Sequence, residues 1–273
     1  MNTRKFYLDT DWQYLKIYCG IKTADIILKE SITPLVSQLK EENLIKKWFF
    51  IRYNDPKPHI RLRFQLSDIK DYEKILEISN LFLKVFIDSG EISNIVIDSY
   101  FRESERYGID TIETAEELFY KSSELVMGFL NYEDEEKIIV SMFYIEQIFS
   151  ELKLQNTEKQ DWINKSNISF KKEFNADKRL NSQLNRKFIE FEPKYRAFFE
   201  SVEFDETRNL IIVNLSESKS TFKKLREYDS NFLVSFFSDI FHMHINRTFI
   251  SSQRLFEMII YDYLFRHIKV LSK

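Results

Sequence analysis

The sequence predicts an α+β fold, a largely antiparallel sheet packed with long amphipathic helices. Three observations predict it. Trp48–Leu66 reads as a β-hairpin, the runs after it repeat apolar residues at helical spacing, and chain breakers are scarce. The 273 residues include 4 Gly and 4 Pro against 26 Phe, with 44% hydrophobic residues. Few breakers favour long helices joined by few tight turns, and this length can bury a substantial core. With no linker and no internal repeat in view, residues 1–273 read as a single domain.

The hairpin comes first. Trp48–Tyr53 is aromatic and β-branched, which favours a strand. Asn54-Asp55-Pro56-Lys57-Pro58 is turn chemistry, because proline fixes φ and Asn and Asp accept local backbone hydrogen bonds. Alternation follows. His59, Arg61, Arg63 and Gln65 fall on one face, and Ile60, Leu62, Phe64 and Leu66 on the other. Arg61 and Arg63 point the same way, less than about 7 Å apart along the strand. They repel each other unless an anion lies between them, and arginine forks suit carboxylates and phosphates. A solvated face with acidic partners accounts for the pattern equally well.

The flanking elements follow from spacing. Tyr14–Tyr18 alternates and reads as a strand. Ala24–Lys40 carries Ile27, Leu28, Leu35 and Leu39 at helical spacing. Pro34 interrupts it, either as the first position of a second helix capped by Thr33 or as a kink. Ser67-Asp68 opens a helix with Ile69, Tyr72, Ile75, Leu76, Ser79, Leu83 and Phe86 inward, ending near Ser89-Gly90. Ile92–Ser99 is a short β-branched strand that delivers Tyr100–Gly108, YFRESERYG. A loop salt bridge among Glu103, Glu105 and Arg106 explains that run without function. Helices are expected over Thr111–Leu130 and Glu135–Leu152, the second opened by acids that suit a helix N-terminus.

Leu154–Glu227 is polar and charged, with helices expected around Trp162 and Arg186–Phe199. Leu210–Asn214 reads as a strand or as a run buried in helix packing. Asp229 or Ser230 can cap a helix over Phe232–Arg247, with Phe232, Phe236, Ile240 and Met243 or Phe241 inward. That helix carries His242–Arg247, HMHINR. His242 and Asn246 share a face, whereas His244 points elsewhere. Two histidines at i, i+2 cannot share a metal on a regular helix, so no metal site is expected. Ser251–Val270 closes the chain as a helix with Leu255, Met258, Ile259, Tyr263 and Ile268 inward.

The totals exclude several classes. The net charge of −3, from 40 basic and 43 acidic residues, argues against direct nucleic-acid binding. The single cysteine, Cys19, excludes an intramolecular disulfide and a Cys-rich metal site, and its apolar surroundings suggest packing. No signal-like run and no apolar run long enough to span a bilayer is seen, which predicts a cytoplasmic protein without a membrane anchor.

WFFIRYNDPKPHIRLRF at Trp48–Phe64, YFRESERYG and HMHINR together resemble the signature of the C-terminal domain of lanthipeptide dehydratases. The same domain occurs free-standing among thiopeptide-type bacteriocin biosynthesis proteins. The resemblance covers nearly the whole chain and is weakest in its third quarter. The family's second segment is an acid-rich approach to Arg-Tyr-Gly, matched at Arg106, with Ile109 in place of a second glycine. The helix after it begins as in the family, with Ala115-Glu116 and Leu118-Phe119, but has Lys121-Ser122-Ser123 where an aspartate is common. The third segment is His-Met-x-x-Asn-Arg, matched at His242, Met243, Asn246 and Arg247.

In this family a partner activity esterifies Ser and Thr of a precursor peptide with glutamate taken from glutamyl-tRNA. The domain resembled here then removes that glutamate by β-elimination, leaving dehydroalanine or dehydrobutyrine. The resemblance implies no organic cofactor and no metal. It implies Arg61, Arg63 and Arg106 as catalytic cations for the enolate and carboxylates, since fixed charge aimed at developing charge is the strongest device available without a metal. His242 is the acid/base candidate, histidine being the side chain that titrates near neutrality. Substrate binding is assigned to Arg52, Asn246 and Arg247. Arg52 joins the cationic face or makes a structural salt bridge, and Asn246 and Arg247 orient the site or stabilise the helix. The peptide is expected to cross a groove where the arginine face meets the His242 helix.

The expected partners are the precursor peptide and a separate glutamyl-tRNA-dependent glutamylating protein, because the large glutamylating domain is not seen here. The resemblance tilts the oligomeric state towards a homodimer. Two rival readings stand beside elimination. One is the pyridine-forming cyclisation of a dehydroalanine-containing thiopeptide precursor. The other is a non-catalytic peptide-binding partner of a dehydratase complex. Retention of Arg61, Arg63, Arg106 and His242 favours elimination.

Overall fold

The computed structural model describes residues 5–6 and 10–271. The chain forms two compact units. One runs through Asn131 and includes Asn246–Ser251; the other comprises Tyr132–Ile245 and the residues from Ser252 onward.

The first unit holds the strands β1 (Lys5–Phe6), β2 (Trp12–Cys19), β3 (Ile45–Tyr53), β4 (His59–Leu66), β5 (Ile92–Ile97) and β6 (Tyr100–Phe101). Its helices are α1 (Thr23–Ile27), α2 (Thr33–Glu41), α3 (Tyr72–Asp88), α4 (Ser104–Tyr107) and α5 (Ile112–Met127). Four strands form an antiparallel sheet in the order β3-β4-β2-β5, and β1 pairs separately with β6. Ile60, Leu62, Phe64 and Leu66 are fully buried on one face. They share a core with Leu15, Ile17, Trp48 and Phe50 from the sheet and Leu35, Leu39, Ile75 and Leu83 from the helices. Cys19 packs in this core, and burial pushes its thiol up to about 11.

The helical stretch before β3 resolves the two readings of Pro34. It lies in the first turn of α2, directly after a helical backbone that already runs through Ile32 and Thr33. Thr33 does not cap that turn. A π-helical turn over Leu28–Ile32 joins α1 to α2, and the Thr33 hydroxyl donates to the Leu28 carbonyl at 3.0 Å.

The second unit is helical: α6 (Asp134–Glu151), α7 (Asn156–Glu173), α8 (Lys178–Glu200), α9 (Asp205–Ser216), α10 (Lys219–Leu225), α11 (Ser230–Thr248, the part up to Ile245) and α12 (Gln253–Leu271). A capping box closes the start of α6, with the Glu133 N–H donating to Glu136 Oε2 at 2.8 Å. Every residue from Lys137 to Ile145 is buried, so α6 is enclosed on all sides. Leu210–Asn214 is helical, within α9. Ile211 is buried, while Leu210, Ile212 and Val213 face outward. Leu255 is exposed rather than inward, and Met258, Tyr261, Tyr263 and Leu264 make the buried face of α12. Among the described residues no helix is long and apolar enough to cross a membrane.

Within this unit Glu146 accepts the Tyr195 hydroxyl at 3.1 Å, and burial raises its pKa from 4.5 to about 7. Ionisation therefore opposes folding. The carboxyl's contribution to stability is complete below the unfolded value and is lost as the pH rises through about 7. Glu146→Gln keeps an acceptor for Tyr195. It should raise stability at pH 8 by up to about 3 kcal/mol, with little change at pH 4. Thermal denaturation of both proteins at the two pH values checks this; equal shifts at both would contradict it.

Candidate active site

The ladder of β4 builds the cationic face. Arg63 lies opposite Tyr14 of β2 and Phe49 of β3, Arg61 opposite Lys16 and Ile51, and His59 opposite Tyr18 and Tyr53. Directly opposed residues share a face, so Tyr14 and Phe49 flank Arg63, while Arg61 meets the ring of Tyr53 on the diagonal. The Arg63 guanidinium sits 4.3 Å from the Tyr14 ring, 4.8 Å from Tyr100 and 5.3 Å from Phe49. Ring faces attract a cation, and three of them form a cage around this buried one. Burial, and then the Arg61 charge, press Arg63 below the ordinary arginine value, while Tyr14 and Tyr100 oppose them.

Arg61 is held differently. Its guanidinium lies 3.4 Å over the Tyr53 ring, and its Nε–H donates to His59 Nε2 at 3.2 Å. His59 Nδ1 lies 2.8 Å from the Lys57 carbonyl, which can only accept. The two bonds therefore set His59 as the Nδ1–H tautomer. Neighbouring Lys16 is paired with Asp98. Among the described residues the terminal nitrogens of Arg61 make no hydrogen bond, so the fork that suits a carboxylate is open.

The second motif splits its two arginines. Arg106 lies in the single turn of α4, exposed, with Glu103 at 3.5 Å. Arg102 is the buried one. Its Nε and Nη2 each donate to Glu116 at 2.7 Å, and the Tyr100 hydroxyl donates to the same carboxylate at 2.9 Å. This bidentate pair ties β6 to α5. Gly108 takes φ +80°, which glycine adopts without strain, and turns the chain towards α5 with Ile109 in the next position.

The third motif closes an edge of the sheet. β3 is an outer strand. The Arg52 N–H donates to Asn246 Oδ1 at 2.9 Å, and Asn246 Nδ2 donates to the Arg52 carbonyl at 3.0 Å. The fully buried Arg247 donates from Nε to the Phe50 carbonyl at 2.8 Å. Asn246 and Arg247 thus act on the strand backbone as a further strand would. Arg52 does not join the cationic face. Its ladder partner is Ile60, so it points to the opposite side, where it pairs with Asp25 and donates to the Arg247 carbonyl at 2.9 Å. Of the two readings the structural salt bridge is the one present, and the Arg52 side chain is buried.

His242 belongs to the second unit. Its side chain is about one-third exposed, and Nδ1 lies 2.9 Å from Glu257 Oε2. Glu257 is buried and also accepts from Arg254 Nη1 at 2.8 Å; Arg254 in turn grips Glu173. A carboxylate only accepts, so His242 donates from Nδ1. His244 is buried and stacks on Tyr144 at 3.9 Å, away from this pair. Among the described residues no three His, Cys, Asp or Glu side chains are placed to hold a metal.

The family described as lantibiotic biosynthesis dehydratase C-term matches residues 12–268. The chain belongs to this family. The nisin biosynthesis protein NisB of Lactococcus lactis subsp. lactis is 30% identical over 266 residues, covering 92% of this chain and 25% of NisB. The crystal structure of the tRNA-dependent lantibiotic dehydratase MibB from Microbispora sp. 107891 superposes with a TM-score of 0.74 at 16% identity, over 98% of this chain and 29% of that one. The pyridine synthase TbtD from thiomuracin biosynthesis superposes with a TM-score of 0.59 at 11% identity, over 96% of this chain and 100% of that one. At these identities the two structures speak to the fold alone. The chain spans a quarter or less of the length of the curated relatives it matches.

In this lantibiotic dehydratase domain the sequence pattern places Arg61 and Arg63 on one face, as the ladder has them. It misses Glu257, which lies one helix beyond its histidine, and the tie between His59 and Arg61. The strand-edge clamp has a direct test. Asn246→Ala strips both backbone groups of Arg52 of their partner and should cost about 1–3 kcal/mol, read as a lower denaturant midpoint. An unchanged midpoint would show the clamp to be dispensable.

Proposed function

We propose that this chain carries out the elimination step of lantibiotic dehydration. It would remove glutamate from glutamylated Ser and Thr of a precursor peptide and leave dehydroalanine or dehydrobutyrine. The observation that carries the reading is the open Arg61 fork on the sheet face of a lantibiotic dehydratase C-terminal domain. A glutamyl ester has a free carboxylate that such a fork binds in two parallel hydrogen bonds. A glutamylating activity acts before it, with the precursor peptide as shared substrate. The family resemblance adds a cytoplasmic setting and a homodimer to this reading.

The chemistry is balanced within the substrate. A base takes the Cα proton of the esterified residue, the Cα electrons form the Cα–Cβ double bond, and the Cβ–O bond breaks to release glutamate as a carboxylate. His242 Nε2 is the base of this reading. Glu257 holds the ring by Nδ1 and stabilises the charge gained on protonation, as an acid behind a catalytic histidine does. Arg63 and Arg106 supply positive charge for the enolate and the departing carboxylate. Charge held in a ring cage, as at Arg63, needs no reorganisation during the reaction.

A second reading is pyridine-forming cyclisation of a peptide that already carries dehydroalanine, on the fold this chain shares with TbtD. The variants separate the two. On a glutamylated peptide followed by mass spectrometry, His242→Ala should lower kcat by ~100- to 10,000-fold. Glu257→Gln should lower kcat by less and leave KM unchanged. Arg61→Ala should raise KM, and Arg61→Lys should not restore it because lysine lacks the planar fork. Arg106→Ala should leave the esters in place. If His242→Ala and Arg61→Ala release glutamate at the wild-type rate, the reading is wrong.

A further inference from the structure

We infer that His59 is a positioning residue that aims the Arg61 fork at a carboxylate, and that adding a proton to His59 releases this site. The inference rests on the elimination reading only for the identity of the carboxylate. Two contacts fix the Arg61 guanidinium. Tyr53 sets its plane from one face, and His59 Nε2 takes its Nε–H. With Nε engaged, the edge left over is the pair of terminal nitrogens, which presents two roughly parallel N–H groups. Without the His59 acceptor the long arginine side chain regains rotamer freedom, and binding a ligand must then order it.

His59 can accept from Arg61 only while neutral. A protonated ring would aim an Nε2–H at the Arg61 Nε–H, placing donor against donor and cation against cation at 3.2 Å. The surroundings oppose that proton. His59 is buried, with the Tyr18 ring at 4.7 Å and the Tyr53 ring at 5.5 Å. Burial foremost, then the charges of Arg61 on its own strand and Lys16 on β2, hold its pKa below the ordinary histidine value of 6.5. The Lys57 carbonyl and Asp55 in the turn pull the other way. The site is thus assembled at neutral pH and is lost as the pH falls below 6.5 and through the lowered value of the folded protein.

The test uses the full chain and a precursor peptide bearing a glutamyl amide in place of the ester, which binds without eliminating. The affinity of the His242→Ala protein is measured by calorimetry at pH 7.5 and 5.5, so that the pH change reports on His59 with His242 removed. Binding should weaken measurably but by less than about tenfold at the lower pH, because the His59 value lies below 6.5. His59→Gln keeps an acceptor but cannot titrate, and should bind well at both values. His59→Phe keeps the ring but not the acceptor. It should bind about tenfold more weakly at both values, and in the otherwise wild-type protein it should raise KM on the ester while leaving kcat within about twofold. Ring nitrogen NMR should show the Nδ1–H tautomer for His59 at neutral pH. A wild-type-like affinity for His59→Phe, an Nε2–H tautomer, or no binding of the amide overturns the inference. If the amide binds with the predicted pH dependence but the ester is never eliminated, the elimination reading fails and the positioning role stands.

Discussion

A one-residue slip between β3 and β4 would turn Ile60, Leu62, Phe64 and Leu66 out of the core and drive His59, Arg61 and Arg63 into it. Burying each of those large apolar side chains is worth ~1.5–3 kcal/mol, so four of them hold the register firmly. Everything at the cationic face depends on that register. It brings Tyr14 and Phe49 to Arg63, and Tyr53 and His59 to Arg61. Two arginines that would repel each other side by side are instead each given a ring. The core's apolar energy thus sets the position of charges that gain little stability from being there.

The strand edge makes a second demand. An outer strand leaves backbone N–H and C=O groups unpaired unless something covers them. Asn246 and Arg247 meet this need for Arg52 and Phe50. The HMHINR segment therefore serves two ends. Its last polar residues brace the sheet, while His242 engages Glu257 through Nδ1.

Elements with a clear period were legible in the sequence. The hairpin, the helix after it, and the helices that became α5, α6 and α11 all announced themselves by alternation or helical spacing. Leu210–Asn214 did not, because a short apolar run reads as strand or helix alike, and α9 buries only part of it. Leu255 fits an inward helical stripe yet faces outward, since neighbouring packing decides which stripe is used. At the site, Arg61 and Arg63 follow from alternation, and the family resemblance pointed to Arg106 and His242. Arg52 stayed open between the cationic face and a salt bridge because its face depends on pairing with Ile60, a property of two strands rather than one. Glu257 was invisible for the same reason: its meeting with His242 is tertiary.

The most direct measurement incubates this protein alone with a precursor peptide carrying isotope-labelled glutamyl esters and quantifies both products. The account predicts free labelled glutamate and dehydro residues in equal amounts. Labelled glutamate released with the hydroxyl groups restored would mean ester hydrolysis, and either that result or fully persistent esters would contradict it.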